Sequence, residues 1–186
     1  MAKNFPHLLP PHQDFIKKQK LFFVASAPTD PKGHVNVSPK GYNSFCILSE
    51  SEVAYMDLTG SGNETSAHLN ENGRLTIMFI AFEGAPMILR LYGKGETILP
   101  TSPDWETLST NFDLLHGARQ IIKLKIELVK TSCGFGVPFY GYEGDRETLV
   151  KWADQKGEDG LIKYRKEKNQ KSIDGLMTPL GEADLE

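Results

Sequence analysis

The sequence has little cysteine, no long apolar run and no excess of positive charge. Its two cysteines, Cys46 and Cys133, lie far apart and show no CxxC or other metal-ligand spacing, so we expect neither a disulfide framework nor a metal site. No stretch approaches the roughly 20 apolar residues that span a bilayer, and the first residues lack the apolar core of an export signal. We therefore expect a protein of the reducing cytoplasm with no membrane partner.

The charge balance limits the kinds of partner that the protein binds. A formal net charge of −3 and an isoelectric point near 6.0 argue against a general nucleic-acid binder, so a small molecule is the better expectation. With 186 residues, 39% of them hydrophobic and 24% charged, the chain has an ordinary globular composition. We predict a single domain over residues 1–186 with a core of its own.

Short strands dominate the first two thirds of the chain. Alternating or compact apolar segments bounded by turn residues predict seven strands, at residues 21–27, 34–38, 45–48, 52–58, 74–81, 87–98 and 119–130. Helical patterns occur at residues 10–20, 64–72 and 103–115, and as two charged stretches within 145–170 that belong to a C-terminal helical extension from about residue 140. Strands on short links with inserted helices predict a mainly β protein, and Gly93 and Gly95 favour a bent, barrel-like sheet. Because a small barrel is filled by its own side chains, a ligand would bind outside it, in a groove shared with a second copy.

A glycine- and hydroxyl-rich loop at residues 57–69 is the strongest candidate for a binding site. Gly60 and Gly62 let the backbone approach a ligand closely, while Asn63, Thr65 and Ser66 supply side-chain donors beside the unpaired N–H groups of a helix start. Such a site suits a phosphate. The alternative is that Asn63 only caps its own helix.

A second candidate for anion binding is Lys40, which follows the strand at residues 34–38. The motif Ser38-Pro39-Lys40 is expected to break that strand, because proline removes a donor from the ladder. Lys40 is then either a solvated turn residue or a ligand of the anion.

Four segments, residues 34–41, 57–69, 74–79 and 90–93, carry a family resemblance in their order and spacing. The chain resembles the pyridoxamine 5′-phosphate oxidase-like, FMN-binding split-barrel proteins, and residues 131–138 and 172–175 resemble a branch described as predicted flavin-nucleotide-binding proteins. The resemblance implies a Greek-key split β-barrel, a homodimer, and FMN in two equivalent grooves at the dimer interface.

The resemblance also implies which residues bind FMN. The strand and turn at residues 36–40 would follow the flavin to its phosphate, residues 55–57 would lie beside the ring or ribityl chain, and the helix start would hold the phosphate. The implied residues are Asn36, Val37, Ser38, Pro39, Lys40, Tyr55, Met56, Asp57, Asn63, Thr65, Ser66, Arg90, Cys133 and Gly134. The structural alternatives are an ion pair of Arg90 with Asp57 or Glu64, and Cys133 as a small buried residue.

The chain departs from the true oxidase at two places. Thr65 and Ser66, preceded by Glu64, stand where the oxidase has a consecutive Arg-Lys pair, and the C-terminal Arg-Leu-Asn-Pro signature has no counterpart. Pyridoxamine phosphate oxidation is therefore not the expected reaction. The resemblance implies an FMN-dependent oxidoreductase acting on an unknown small substrate with an unknown electron donor. The alternatives are a non-catalytic flavin carrier or sensor and, disfavoured by the acidic balance, a flavin-free barrel that binds another ligand or single-stranded nucleic acid.

Overall fold

An antiparallel sheet curves into a half-barrel and forms the body of the protein. The computed structural model describes residues 2–113 and 115–183. The strands are β1 (Lys3–Phe5), β2 (Phe22–Ser26), β3 (Asn36–Lys40), β4 (Phe45–Ile47), β5 (Glu52–Leu58), β6 (Arg74–Ile80), β7 (Ile88–Ile98) and β8 (Ala118–Ser132). The helices are α1 (Pro10–Lys18), α2 (Glu64–Asn72), α3 (Trp105–Ser109), α4 (Thr148–Lys168) and α5 (Pro179–Glu182).

The order of strands in the sheet is β3-β2-β6-β7-β8-β5-β4, with β1 added beside β8. The mainly β architecture is thus confirmed, and all seven predicted strands occur with ends within two residues of those expected. The short β1 was not predicted. β3 and β4 are the two ends of this order and do not pair with each other. The half-barrel is therefore open between β3 on one side and β4 and β5 on the other.

The interior of the half-barrel is filled by apolar side chains from the strands other than β3. Val24, Tyr55, Ile77 and Leu91 are fully buried there, and this burial of alternate residues is what the sequence pattern predicts. The predicted alternation of β8 is wrong at Leu128, which is half-buried, while Val129 enters the core instead. The cause is a β-bulge beside Gly93 that shifts the register between β7 and β8.

The predicted break at Pro39 is also wrong, because β3 continues through it to Lys40. Pro39 lies opposite Phe23 of β2, and β3 is the edge strand of the sheet. An edge strand tolerates proline because the missing N–H need not face a neighbouring strand.

The helices follow the sequence prediction except for a shortened α3 and for the short α5, which falls in the expected C-terminal tail. The two predicted charged stretches form α4, which has a kink at Gly157 (φ 65°). The helix expected at residues 103–115 is only the five residues of α3, and Leu114 lies outside the described residues. Side chains end it early, since Thr110 and Asn111 donate to the carbonyl oxygens of Thr107 and Leu108. Within the described part of the chain, no helix combines the length and apolarity needed to cross a membrane.

Candidate functional site

A polar pocket of about 410 Å³ lies at the opening of the half-barrel, between β3, the end of β5, the start of α2 and the start of β8. Its lining consists of Asn36, Ser38, Lys40, Asp57, Ser61, Gly62, Asn63, Glu64, Thr65 and Arg119. The pocket therefore combines the glycine loop, Lys40 and two further sequence-predicted positions, Asn36 and Ser38, in one place.

Edge strand β3 supplies one wall of the pocket through every second residue. Asn36, Ser38 and Lys40 face the pocket, and the Asn36 amide donates to Thr65 Oγ1 at the start of α2 (3.1 Å). Val37 faces the other way and is 60% exposed. Val37 and the exposed Pro39 consequently do not line this pocket.

A buried cluster of charges forms the floor of the pocket. Asp57 receives the Lys40 ammonium on Oδ1 (2.5 Å), and it receives Arg119 Nε and Gln120 Nε2 on Oδ2 (both 2.8 Å). Burial raises the pKa of the Asp57 carboxyl, but the charges of Arg119 and Lys40 outweigh burial and hold the pKa well below its usual range. Two cations thus share one carboxylate, which leaves the cluster with a net positive charge.

Arg119 was not predicted as a site residue. It is the extra residue of a β-bulge, since Asp57 pairs with Gln120 and the next residue, Leu58, pairs with Ala118. Without the bulge, Arg119 and Gln120 would point to opposite faces of β8; with it, both reach Asp57. Arg119 is 4% exposed, and among the described residues its buried Nη1 finds no hydrogen-bond partner.

The start of α2 forms the wall opposite Lys40. In the described hydrogen-bond network, the N–H groups of Glu64, Thr65 and Ser66 have no acceptor. The Asn63 side chain makes no capping bond to its own helix, so the interpretation of Asn63 as an N-cap is wrong. Glu64 and Thr65 line the pocket, so their open N–H groups and the positive end of the helix dipole are the candidates for contacting an anion there.

The segment after α4, residues 169–178, lies across the glycine loop, and we call it the C-terminal strap. Asn169 Nδ2 donates to the Gly60 carbonyl (2.9 Å), and the Ile173 N–H donates to the Glu64 carboxylate (3.0 Å). Asp174 accepts hydrogen bonds from the N–H and Nδ1 of His34. The hydrogen bond to the His34 side chain and the negative charge of Asp174 raise the pKa of His34. The strap therefore directs the Glu64 carboxylate to a backbone partner at the rim of the pocket.

Three of the predicted site residues are buried away from the pocket. Ser66 is fully buried and bonds to Thr97 on β7 (3.0 Å). Tyr55 lies in the barrel core with its ring 5.6 Å from that of Phe22, and burial raises the pKa of its hydroxyl well above the usual value. Met56 packs in a second apolar cluster on the other side of β5. Their positions on strand and helix were predicted, but the directions of the side chains were not.

The last three predicted residues lie where β7 begins and β8 ends, outside the lining of the pocket in a single chain. Arg90 donates to Ser132 Oγ (3.2 Å), so the proposed pairing with Asp57 or Glu64 is wrong. Cys133 is exposed, which contradicts its interpretation as a buried small residue. Gly134 has φ 63°, and a Cβ there would lie 3.1 Å from Met87 N.

Comparison with known proteins agrees with this architecture. The profile of the family described as pyridoxamine 5′-phosphate oxidase matches residues 8–133. The pyridoxamine 5′-phosphate oxidase family protein ustO of Aspergillus flavus is 43% identical over 183 residues, covering 88% of this chain and 72% of ustO.

Two solved structures show the same fold at low sequence identity. A variant of HupZ from Group A Streptococcus aligns with a TM-score of 0.52 and 19% identity, over 67% of this chain and 98% of HupZ. A putative pyridoxamine 5′-phosphate oxidase from Lactobacillus delbrueckii aligns with a TM-score of 0.52 and 16% identity, over 69% of this chain and 97% of its own. The expected split-barrel fold is confirmed. On the profile match and the identity to ustO, the chain belongs to the pyridoxamine 5′-phosphate oxidase family.

Proposed function

We propose that the pocket binds the phosphate of FMN and that the protein is an FMN-dependent oxidoreductase acting on a small substrate. The observation that carries this proposal is the Arg119 guanidinium, which is buried at the pocket floor with Nη1 unpartnered among the described residues. A buried donor without an acceptor is costly, and a phosphate oxygen in the pocket would satisfy it with a charge-assisted bond.

The cations of this site come from two strands and not from the helix start. Thr65 and Ser66 replace the Arg-Lys pair of the true oxidase, while Lys40 on β3 and Arg119 on β8 supply the positive charge. Asp57 lies between them and holds both head groups at the floor. In this proposal, Lys40 and Arg119 on the strands do for the dianion what the Arg-Lys pair at the helix start does in the true oxidase.

The flavin ring would lie outside the pocket, because the half-barrel is filled by its own core. When bound, FMN supplies the electron or hydride transfer, and the chain supplies binding and orientation.

A homodimer is part of the proposal. The side chains of Val35, Val37, Phe135 and Phe139 are apolar and between 60% and 80% exposed, and they are candidates for the shared interface and for covering the ring. A cytoplasmic location is also proposed, since it suits the two free thiols.

Titration calorimetry with FMN, FAD and riboflavin tests the proposed cofactor. We expect FMN to bind tightest, since the proposed site at the glycine loop suits a terminal phosphate. Riboflavin binding as tightly as FMN would contradict the assignment of the pocket. The absorption spectrum of the purified protein provides an independent check for bound flavin.

A non-catalytic flavin carrier remains the second candidate. It is favoured by the fact that the acidic and basic groups at the pocket floor are engaged with one another in the Lys40–Asp57–Arg119 cluster. Bleaching of bound flavin by a reduced nicotinamide, followed by reoxidation in air, separates the two functions. An oxidoreductase should turn over repeatedly, whereas a carrier should not.

A further inference from the structure

The anion pocket carries opposite charges at its floor and at its rim. At the floor, Lys40 and Arg119 share the Asp57 carboxylate, so the buried end of the pocket is positive. At the rim, Glu64 lines the pocket beside the exposed Gly62. The charge of the lining therefore changes sign between the buried and the exposed end of the pocket.

The Glu64 carboxylate is held in place but is not neutralised. It accepts a hydrogen bond from the N–H of Ile173 in the C-terminal strap (3.0 Å). A Cβ on Gly62 would lie 3.4 Å from Glu64 Oε1, so the carboxylate lies against the glycine loop. Among the described residues no lysine or arginine pairs with Glu64, whereas Asp174 on the same strap is paired with His34 (2.7 Å). Glu64 thus leaves an uncompensated negative charge at the rim.

We propose that Glu64 is a specificity-determining residue of the anion site, which admits a single phosphate attached to a neutral hydroxyl chain and rejects a second phosphate. This inference rests on the proposed binding of FMN phosphate in the pocket. That a phosphate binds at the floor is supported by Arg119, whose buried Nη1 has no partner among the described residues. The rest of a ligand whose phosphate contacts Arg119 extends toward the exposed glycine loop. There a second phosphate would be repelled by the charge of Glu64, whereas a hydroxyl would donate to it.

Glu64 also has a structural role that the test must separate from this one. It is the first residue of α2 after the N-cap, where a carboxylate complements the helix dipole. That role and the bond to Ile173 stabilise the helix and the strap to the same extent whichever anion is bound. Only the charge of Glu64 acting on the ligand distinguishes one phosphate from two, so the ratio of pyrophosphate to phosphate affinity isolates the proposed role.

Calorimetry with pyrophosphate and inorganic phosphate on the flavin-free protein, in metal-free buffer, measures this ratio. Glu64→Gln keeps an acceptor for the Ile173 N–H and removes the charge. It should raise the ratio about fivefold, the effect of one unit charge at contact distance in water. Glu71→Gln is the matched control, since Glu71 is on the same helix and accepts from the Thr29 N–H outside the pocket, and it should leave the ratio unchanged. An unchanged ratio in Glu64→Gln, or an equal rise in both variants, would overturn the proposal.

Glu64→Asp separates the charge from the hydrogen bond. Aspartate keeps the negative charge at the helix start, but its shorter side chain draws back from the Ile173 N–H. The ratio should therefore stay close to that of the unaltered protein. A rise that matches the rise in Glu64→Gln would show that the bond to the strap sets the ratio and would overturn the proposal.

Binding of FMN and riboflavin to the unaltered protein separates a failure of this proposal from a failure of the proposed function. If both flavins bind with equal affinity, the proposed function fails, and the two inorganic anions still decide the role of Glu64. If FMN binds more tightly than riboflavin while Glu64→Gln leaves the pyrophosphate to phosphate ratio unchanged, only the proposal for Glu64 fails. Binding of neither inorganic anion at millimolar concentration would also overturn it.

Discussion

Replacing Arg119 by methionine separates the two roles that the structure gives this side chain. Arg119 Nε is bonded to buried Asp57, and Nη1 has no partner among the described residues at the pocket floor. Methionine keeps much of the apolar stem and removes every donor. Loss of a charge-assisted bond to phosphate should weaken FMN binding by about 1.5–3 kcal/mol, a factor of roughly 10 to 150 in Kd. Riboflavin, which has no phosphate, should bind with unchanged affinity.

The same substitution should also destabilise the fold. Removing one partner of a buried ion pair costs about 3–5 kcal/mol, and we expect the lower end because Lys40 remains on Asp57. Urea unfolding of the flavin-free protein measures this loss, and calorimetry below the unfolding range measures binding. Lys123→Met is the control, since Lys123 lies on the same strand and pairs with Glu96 outside the pocket. A folded Arg119→Met protein that binds FMN as tightly as its parent would refute the assignment of Arg119 to the phosphate.

Three further outcomes are expected. Lys40→Ala should weaken FMN binding by about 1.5–3 kcal/mol in calorimetry, and an unchanged Kd would leave Lys40 as a partner of Asp57 alone. Because the pKa of Asp57 is held well below its usual value, its contribution to stability is complete above about pH 4, its unfolded value, and is lost as the pH falls through the folded value. Between about pH 5 and pH 2, urea unfolding should show the parent losing stability more steeply than Asp57→Asn, and parallel curves would contradict the cluster. Val37→Lys, which places a charge on an exposed apolar position, should dissociate the proposed dimer in sedimentation and lower the flavin content of the protein, whereas a fully loaded monomer would show that the proposed groove is not shared.

The sequence predicted the elements well and the side-chain directions less well. Strand β5 was predicted with its observed ends, and α2 ends at Gly73 in the left-handed conformation (φ 70°) that glycine supplies. These features are set by residues that are neighbours in the sequence. Asn36 and Ser38 were also placed on one face by strand alternation, whereas Lys40 was expected in a turn and joins that face because β3 continues through Pro39.

Arg119 and the buried direction of Tyr55 could not be predicted in the same way. Arg119 reaches the pocket through a bulge that exists only where β5 pairs with β8, and no local pattern encodes that register. Tyr55 lies inside the barrel because of the curvature of the whole sheet. The direction of the Asn63 side chain depends on Gln120 of β8 and on the main-chain carbonyl of Asn169, which reach Asn63 only in the folded chain. The signal that would have indicated the site is the polar pair Arg119-Gln120, two adjacent polar residues at the start of a strand that otherwise alternates.

The shared carboxylate of Asp57 also has a consequence for the order of folding. It joins Lys40 on the edge strand to Arg119 on β8, two strands that do not pair with each other. The cluster can therefore form only after β5 has docked on β8 and β3 has docked on β2, which are contacts distant in sequence and slow to form. In a chain with β3 undocked, Asp57 would keep Arg119 and lose Lys40, and the anion pocket would lack a wall. An anion that binds here would bind only to chains in which β3 and β8 are both in place. Such a ligand would therefore stabilise the completed barrel and not the partly folded chain.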